Sequence, residues 1–379
     1  MVDVNYITET LIDLVKINSI NPALEAEGSG EWEVAHCIAD KLQALGWDSS
    51  LEKISEGRCN VVCHIGGVAS GKSLILNAHM DTVGVEGMRD PFAATIKDGK
   101  LYGRGAYDMK GSIAAILGVA KAIHDNKIQL PGSLILSFVA DEEYESAGTT
   151  EFLKKYTADA CIVTEPTDLD ICLGHRGFGV YQISTEGVIA HGGLNQIGVD
   201  ANLKMGKVLH EINIISEKLN ARKHPLVGEA SVHVPIINGG QSLFIYSGKC
   251  TIHVERRTLP GETENQVLHE LQNMLDKIAR EDRDFKSELK QIIWRNPYEI
   301  SKDAPISKAL ISCIPSDHKA SFIGHGWWED SGLFGQAGID TIIIGPKGGG
   351  IHQQVEWVEL ASVHQLSEIL LKTYLEFCK

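Results

Sequence analysis

Residues 108–143 read DMKGSIAAILGVAKAIHDNKIQLPGSLILSFVADEE, and three textures follow one another within them. Ile113, Ile116, Leu117, Ala120 and Ile123 fall on one face at helical spacing. The stretch from Ser133 to Ala140 is almost continuously apolar, as suits a short strand buried on both faces. Directly behind it stand Asp141, Glu142 and Glu143, side by side although like charges repel. A positive group in their midst would resolve the repulsion.

The same grammar recurs outward from this segment. Apolar runs at SLILNAHMD (73–81), ACIVTE (160–165) and DTIIIGP (340–346) alternate with helical periodicity over residues 5–18, 31–47 and 362–377. That alternation predicts an α/β fold with a mostly parallel sheet flanked by helices. Between about residues 178 and 295 the texture changes to strand, helix, two alternating strands, helix and strand. This β-α-β-β-α-β order predicts a smaller inserted α+β domain. The expected organisation is therefore a larger domain in two parts, 1–177 and 296–379, interrupted by an insert at 178–295, which agrees with a length of 379 residues.

Composition excludes several function classes. With 43% hydrophobic and 22% charged residues the chain reads as globular, and a formal charge of −15 argues against nucleic acid or an anionic membrane as partner. The first twenty residues carry Asp3, Glu9 and Asp13 within their apolar rhythm, unlike a signal peptide, and no uncharged run approaches membrane-spanning length. Eight cysteines scattered without C-x-x-C pairs suggest buried thiols in a reduced, cytoplasmic protein.

Three motifs are set aside. CNVVCH could offer Cys59, Cys63 and His64 to a metal, but alternation along a strand explains it equally. GGVASGKS (66–73) matches a phosphate-binding loop literally, yet a strand-like run follows where a helix would be required. GRGAYD lacks the third glycine of a dinucleotide fingerprint.

What remains is a set of metal-binding residue types at strand ends. His79 and Asp81 follow one apolar run, and residues two apart in an extended chain point the same way. Asp81 is placed to hold the far nitrogen of a metal-bound His79, although a satisfied histidine at a polar strand end is the plainer reading. Asp108 lies between a glycine-rich loop and a helix, where helix capping would also account for it. Glu142, Glu143 and Glu165 follow two further strands, and His352 sits in a glycine-rich loop after a fourth. Ligands of open α/β sheets gather beyond the carboxyl ends of strands, so these groups should converge. Histidine and carboxylate donors without thiolate suit Zn²⁺, Co²⁺ or Mn²⁺, and adjacent residues such as Glu142 and Glu143 can take different tasks.

The set AHMDTV, GRGAYDMKGS, ADEEYES, TEPTD, GHRG, ERRTLPGE and IHQQVEWV spans essentially the whole chain. In order and spacing it resembles the family of co-catalytic metal amidohydrolases that contains acetylornithine deacetylase, succinyl-diaminopimelate desuccinylase, aminoacylase and carboxypeptidase G. The resemblance implies two divalent ions, zinc first and cobalt or manganese as alternatives, with Asp108 bridging them. Glu143 and His352 would complete one site, and His79 and Glu165 the other. It further implies Glu142 as general base and Asp81 as the partner that orients His79. The insert would be a lid through which two chains dimerise, with His191 (GVIAHGG) acting across the subunit boundary, and Asn238 and Arg257 contacting the carboxylate side of the substrate. Departures from the family pattern are Glu255 where an aspartate is usual, Lys347 in the glycine-rich loop, and QQVEW after His352.

The implied reaction is hydrolysis of the amide of an N-acyl amino acid. The motifs look most like those of acetylornithine deacetylases, which ranks N-acetylornithine first, other N-acetyl or N-formyl amino acids second, and N-succinyl-diaminopimelate third. A metallo-dipeptidase and a metal-binding scaffold without activity are the alternatives, and a scaffold would have no need of Glu142.

Overall fold

The computed structural model describes residues 1–67, 70–316 and 318–379. The chain divides into two compact units, one comprising Met1–Leu173, Ile300–Ile323 and Glu329–Lys379, the other Gly174–Glu299 and Gly324–Trp328.

The first unit is built on a mixed sheet. Across it lie Ser49–Ser55, Arg58–Ile65, Ser133–Val139, Ser73–His79, Ala160–Val163, Asp340–Ile343 and Ile171–His175. The four strands from Ser133–Val139 to Asp340–Ile343 run parallel, while the strands outside them pair antiparallel. The continuous apolar runs form the parallel centre because both faces are covered. On one face, Val62, Ile75, Ile135, Cys161, Val163 and Ile343 meet Phe152 and Phe334 in a buried cluster. Helix Gly111–Asp125, the one read from the 108–143 segment, is buried along most of its length and packs against helices Val4–Lys16 and Leu360–Phe377. Gly118 permits that approach, since a Cβ there would lie 2.6 Å from Ile7 and 2.7 Å from the Ser367 hydroxyl.

A small sheet of Thr95–Lys97, Lys100–Tyr102, Trp357–Glu359 and Gly348–Gly349 ties the chain before Asp108 to the loop that carries His352.

Two of the motifs set aside resolve simply. Ser73 begins a strand, so no helix N-terminus faces the GGVASGKS loop, and residues 68 and 69 of that motif lie outside the described residues. Its Gly71 is instead a close approach, since a Cβ would lie 1.9 Å from the Pro131 carbonyl oxygen. Along Arg58–Ile65, Cys59 and Cys63 are buried while His64 faces solvent, and burial pushes the two thiols up to about 11 and about 12.

The second unit carries the β-α-β-β-α-β order expected of the insert. Its antiparallel sheet runs Ser231–Gly239, Lys249–Thr258, Gly177–Glu186, Lys286–Arg295. Helices Ala201–Leu219 and Glu264–Glu281 bury Met205, Val208, Leu271 and Leu275 in a core with Tyr181, Ile252 and Val254. Among the described residues, no helix of the chain is long and apolar enough to cross a membrane.

Candidate metal centre

Three parallel strands deliver side chains to the same edge of the first unit. His79 ends the strand Ser73–His79, Glu142 and Glu143 follow Val139, and Glu165 follows Val163 by two residues. Asp108 comes from the turn Ala106–Lys110, and His352 from the loop between Gly348–Gly349 and Trp357–Glu359 with a left-handed φ of 56°.

Asp108 stands at the centre. Its Oδ1 lies 3.0 Å from His79 Nε2 and its Oδ2 lies 3.2 Å from His352 Nε2. His79 Nε2 is also 3.6 Å from Glu165, and His352 Nε2 is 3.1 Å from Glu143 Oε2. One carboxylate thus faces two imidazoles, each with its own further glutamate. Donor atoms of His79, Asp108 and Glu143 lie within 4.8 Å of one another, as do those of His79, Glu142 and Glu165. Asp108 does not cap the following helix, whose N-cap position is Lys110, so the capping alternative falls.

The electrostatics follow from crowding carboxylates away from water. Burial pushes Glu142, Glu143 and Glu165 up, with the charge of Glu165 adding at Glu142 and that of Asp108 at Glu143 and Glu165. At Asp108 burial acts the same way, but hydrogen bonds from His352 and His79 overcome it and hold the carboxyl well below the usual range. Burial would lower His79, yet its bonds to Asp108 and Asp81 push it well above an ordinary imidazole. Hydrogen bonds to Asp108 and Glu143 push His352 up to about 10. Carboxylates outnumber imidazoles in this cluster, so positive charge among them is favoured. A divalent cation held by the same Nε2 and carboxylate atoms would supply that charge, and the donor set fits borderline ions such as Zn²⁺.

Asp81 meets His79 through its main chain more closely than through its carboxylate. His79 Nδ1 donates to the main-chain oxygen of Asp81 at 2.9 Å, while the carboxylate is 3.6 Å away. That bond leaves Nε2 facing the cluster. The Asp81 carboxylate accepts the backbone N–H of Glu142 at 3.1 Å and of Glu143 at 3.2 Å, and the Asn21 amide at 2.8 Å. It holds the turn that presents both glutamates.

Sequence reading missed the side chains behind this shell. Asp141 faces the buried Arg58, whose Nη1 donates to it at 2.8 Å while Nε and Nη2 grip Glu31 at 2.9 and 2.5 Å. The positive group expected beside the three acids is thus, for Asp141, an arginine. On the other side, Glu356 accepts the backbone N–H groups of Gly105, Tyr107 and Asp108 at 3.0, 2.9 and 3.1 Å, and Arg104 Nη1 at 2.6 Å.

The three lid residues lie in the second unit, and they do not lie together. Asn238 pairs with Thr251, whereas Arg257 pairs with Phe178 and Ser231, six residues further along the strand Lys249–Thr258. At about 3.3 Å per residue that is roughly 20 Å. His191 lies in the loop after Glu186, bridged to Ile245, at the end of the sheet away from Arg257. Arg257 donates Nε to Glu255 at 2.5 Å and lies over the Phe178 ring.

A family model described as Peptidase family M20/M25/M40 matches residues 75–376. The chain belongs to this family of metal-dependent amidohydrolases and peptidases. It is 28% identical to an N-formyl-4-amino-5-aminomethyl-2-methylpyrimidine deformylase of Bacillus subtilis, over 94% of this chain and 91% of that protein. It is also 28% identical to an acetylornithine deacetylase of Vibrio campbellii, over 98% and 97% of the two chains. Among solved structures it is similar to the Bacillus subtilis YXEP protein, a dinuclear metal-binding peptidase, with a TM-score of 0.76 at 16% identity over 98% and 97% of the chains. The chain is therefore an enzyme that hydrolyses amide bonds.

Proposed function

We propose that the protein removes the acyl group from an N-acyl amino acid using two divalent cations, with N-acetylornithine the first candidate substrate. The observation that carries this reading is the division of Asp108 between two imidazoles, Oδ1 to His79 at 3.0 Å and Oδ2 to His352 at 3.2 Å. A bridging carboxylate needs such a geometry. In this reading His79 and Glu165 would hold one ion, His352 and Glu143 the other, and Asp108 both. When bound, the ions acidify a water and polarise the scissile carbonyl.

The remaining work falls to the chain. Glu142 is half-buried, and among the described residues its carboxylate has no hydrogen-bond or ion-pair partner, which leaves it free to accept a proton and pass it to the leaving amine. The Asp81 carboxylate fixes the Glu142 backbone, and the Asp81 main-chain oxygen fixes the His79 imidazole. Arg257, stacked on Phe178, offers a planar fork to a substrate carboxylate.

His191 and Asn238 belong, in this account, to the site of a second copy. Asn238 lies roughly 20 Å from Arg257 along one sheet, and His191 sits in the loop beyond that same end, so neither would reach the amino acid that Arg257 holds from the same chain. The edge strand Ser231–Gly239 exposes Ile236 and Ile237, and the neighbouring loop exposes Leu243 and Phe244, a surface suited to homodimerisation. Eight free cysteines, six of them buried, fit a cytoplasmic setting.

The test is kcat/KM for zinc- or cobalt-loaded enzyme over N-acetyl, N-formyl and N-succinyl amino acids and free-amine dipeptides. N-acetyl-L-ornithine should lead. A dipeptide favoured by about 10²-fold over every N-acyl amino acid, ~2.7 kcal/mol in transition-state binding, would overturn the deacylase reading in favour of a peptidase.

A further inference from the structure

The turn that presents Glu142 and Glu143 is anchored from behind by Glu31, Arg58 and Asn21, whose side chains bond to none of the cluster's side chains. Asp141 opens this turn with a left-handed φ of 72°, uncommon outside glycine though tolerated by aspartate, and hydrogen bonds on both its main chain and its side chain hold it there. Its backbone N–H donates to Glu31 at 3.2 Å, its carbonyl oxygen accepts Ser146 N–H at 2.6 Å, and its Oδ2 accepts Ala147 N–H at 3.2 Å. Its Oδ1 receives both Arg58 Nη1 at 2.8 Å and Asn21 Nδ2 at 3.0 Å.

Arg58 grips Glu31 with two nitrogens and Asp141 with a third, and all three side chains are nearly removed from water. The guanidinium can satisfy both carboxylates at once because its donors lie in a fixed plane, and a lysine ammonium cannot span them in the same way. Asn21 ties this network to the next layer, since its amide also donates to Asp81 Oδ2 at 2.8 Å. Asp81 in turn accepts the N–H groups of Glu142 and Glu143. The chain of contacts runs without a gap from Arg58 through Asp141 and Asn21 to Asp81, and from there to the backbone of both glutamates.

We propose that Arg58 is a positioning residue for the reaction, setting the place of Glu142 and Glu143 through the buried Glu31–Arg58–Asp141–Asn21–Asp81 network. The inference rests on the reading of Glu142 as base and Glu143 as ligand. Removal of Arg58 leaves Glu31 and Asp141 as buried carboxylates without their cation, and whether they take up a proton or the Asp141 turn moves toward water, the hydrogen bonds that set that turn change. A displacement of about 1 Å at a catalytic group costs on the order of 10²-fold in rate.

The experiment compares Arg58→Met, Arg58→Lys, Asn21→Ala and Glu142→Gln with the wild type, all as full chains checked for native circular dichroism. Measured are kcat and KM at saturating zinc, using the N-acyl amino acid turned over fastest, and retention of each zinc ion against a chelator. Arg58→Met should lose about 10²-fold in kcat with KM unchanged, and should release one of its two zinc ions faster. Arg58→Lys should recover part of the kcat, and Asn21→Ala should move in the same direction as Arg58→Met. A folded Arg58→Met enzyme with wild-type kcat and zinc retention would overturn the proposal, as would a loss confined to KM. Where Arg58→Met does not fold, Asn21→Ala with wild-type kcat and zinc retention overturns it. An active Glu142→Gln enzyme would instead sink the base assignment, while zinc retention in the Arg58 variants still decides whether the turn depends on this network.

Discussion

Replacing Glu356 by alanine should cost the first unit about 5 kcal/mol of stability, a large share of the ~5–15 kcal/mol that holds a typical protein folded. The figure follows from what this carboxylate satisfies. Arg104, nearly buried, would lose its 2.6 Å partner, and breaking one side of a buried pair costs ~3–5 kcal/mol. Three backbone N–H groups, those of Gly105, Tyr107 and Asp108, would lose their acceptor. Each orphaned donor costs ~1–3 kcal/mol, although water entering the vacated volume recovers part of this. Glu356→Gln keeps the volume but loses the charge and turns an amide toward donors, so about 3 kcal/mol is expected. The assay is guanidinium unfolding of chelator-treated protein, which separates folding from metal binding. A cycle with Arg104→Met should show coupling of at least ~1.5 kcal/mol, with the double variant more stable than the sum of the single losses predicts. Glu356→Ala within about 1 kcal/mol of wild type, or a cycle without coupling, would refute the clamp.

Other outcomes follow from the same geometry. Glu142→Gln should lower kcat by ~10²–10⁴-fold while zinc content stays at the wild-type level, which metal analysis beside kinetics checks. Asp108→Ala should weaken both zinc sites, whereas His79→Ala or His352→Ala should chiefly weaken one, and a stepwise chelator titration distinguishes the cases. Mixing His191→Ala chains with Glu142→Gln chains should restore part of the activity, because one site in the heterodimer is then complete. Absence of rescue in a mixture shown to exchange subunits would count against a shared site.

Much of the fold was legible because its strands announce themselves. Runs such as SLILSFVA and SLILNAH are apolar without alternation, and they form the parallel centre where both faces are covered. The convergence of His79, Glu142, Glu143 and Glu165 was legible as well, since each ends or follows such a run and parallel strands bring their carboxyl ends to one edge. The flanking antiparallel strands were harder to read, because direction depends on connections and not on local texture. Asp108 was ambiguous for a different reason: an aspartate before a helix has two good explanations, and the N-cap at Lys110 together with the positions of His79 and His352 decides between them. The supporting shell could not be read at all. Asn21 meets Asp81 and Asp141 across 60 and 120 residues, and Arg104 meets Glu356 across 252. Glu31 looks like an ordinary acidic residue at the start of helix Trp32–Ala44, yet its side chain leaves the helix end and holds Arg58. No local pattern marks such partners, since each residue type is common at an exposed surface and only its burial makes it unusual.

Every role proposed at the centre depends on Asp108 lying between two metal ions. Anomalous diffraction from crystals of the zinc-loaded protein tests this directly. Two zinc peaks about 3.5–4 Å apart are predicted, with one Asp108 oxygen on each, His79 and Glu165 on the first, and His352 and Glu143 on the second. A single peak at full zinc occupancy, or two peaks with Asp108 bound to only one of them, would contradict it.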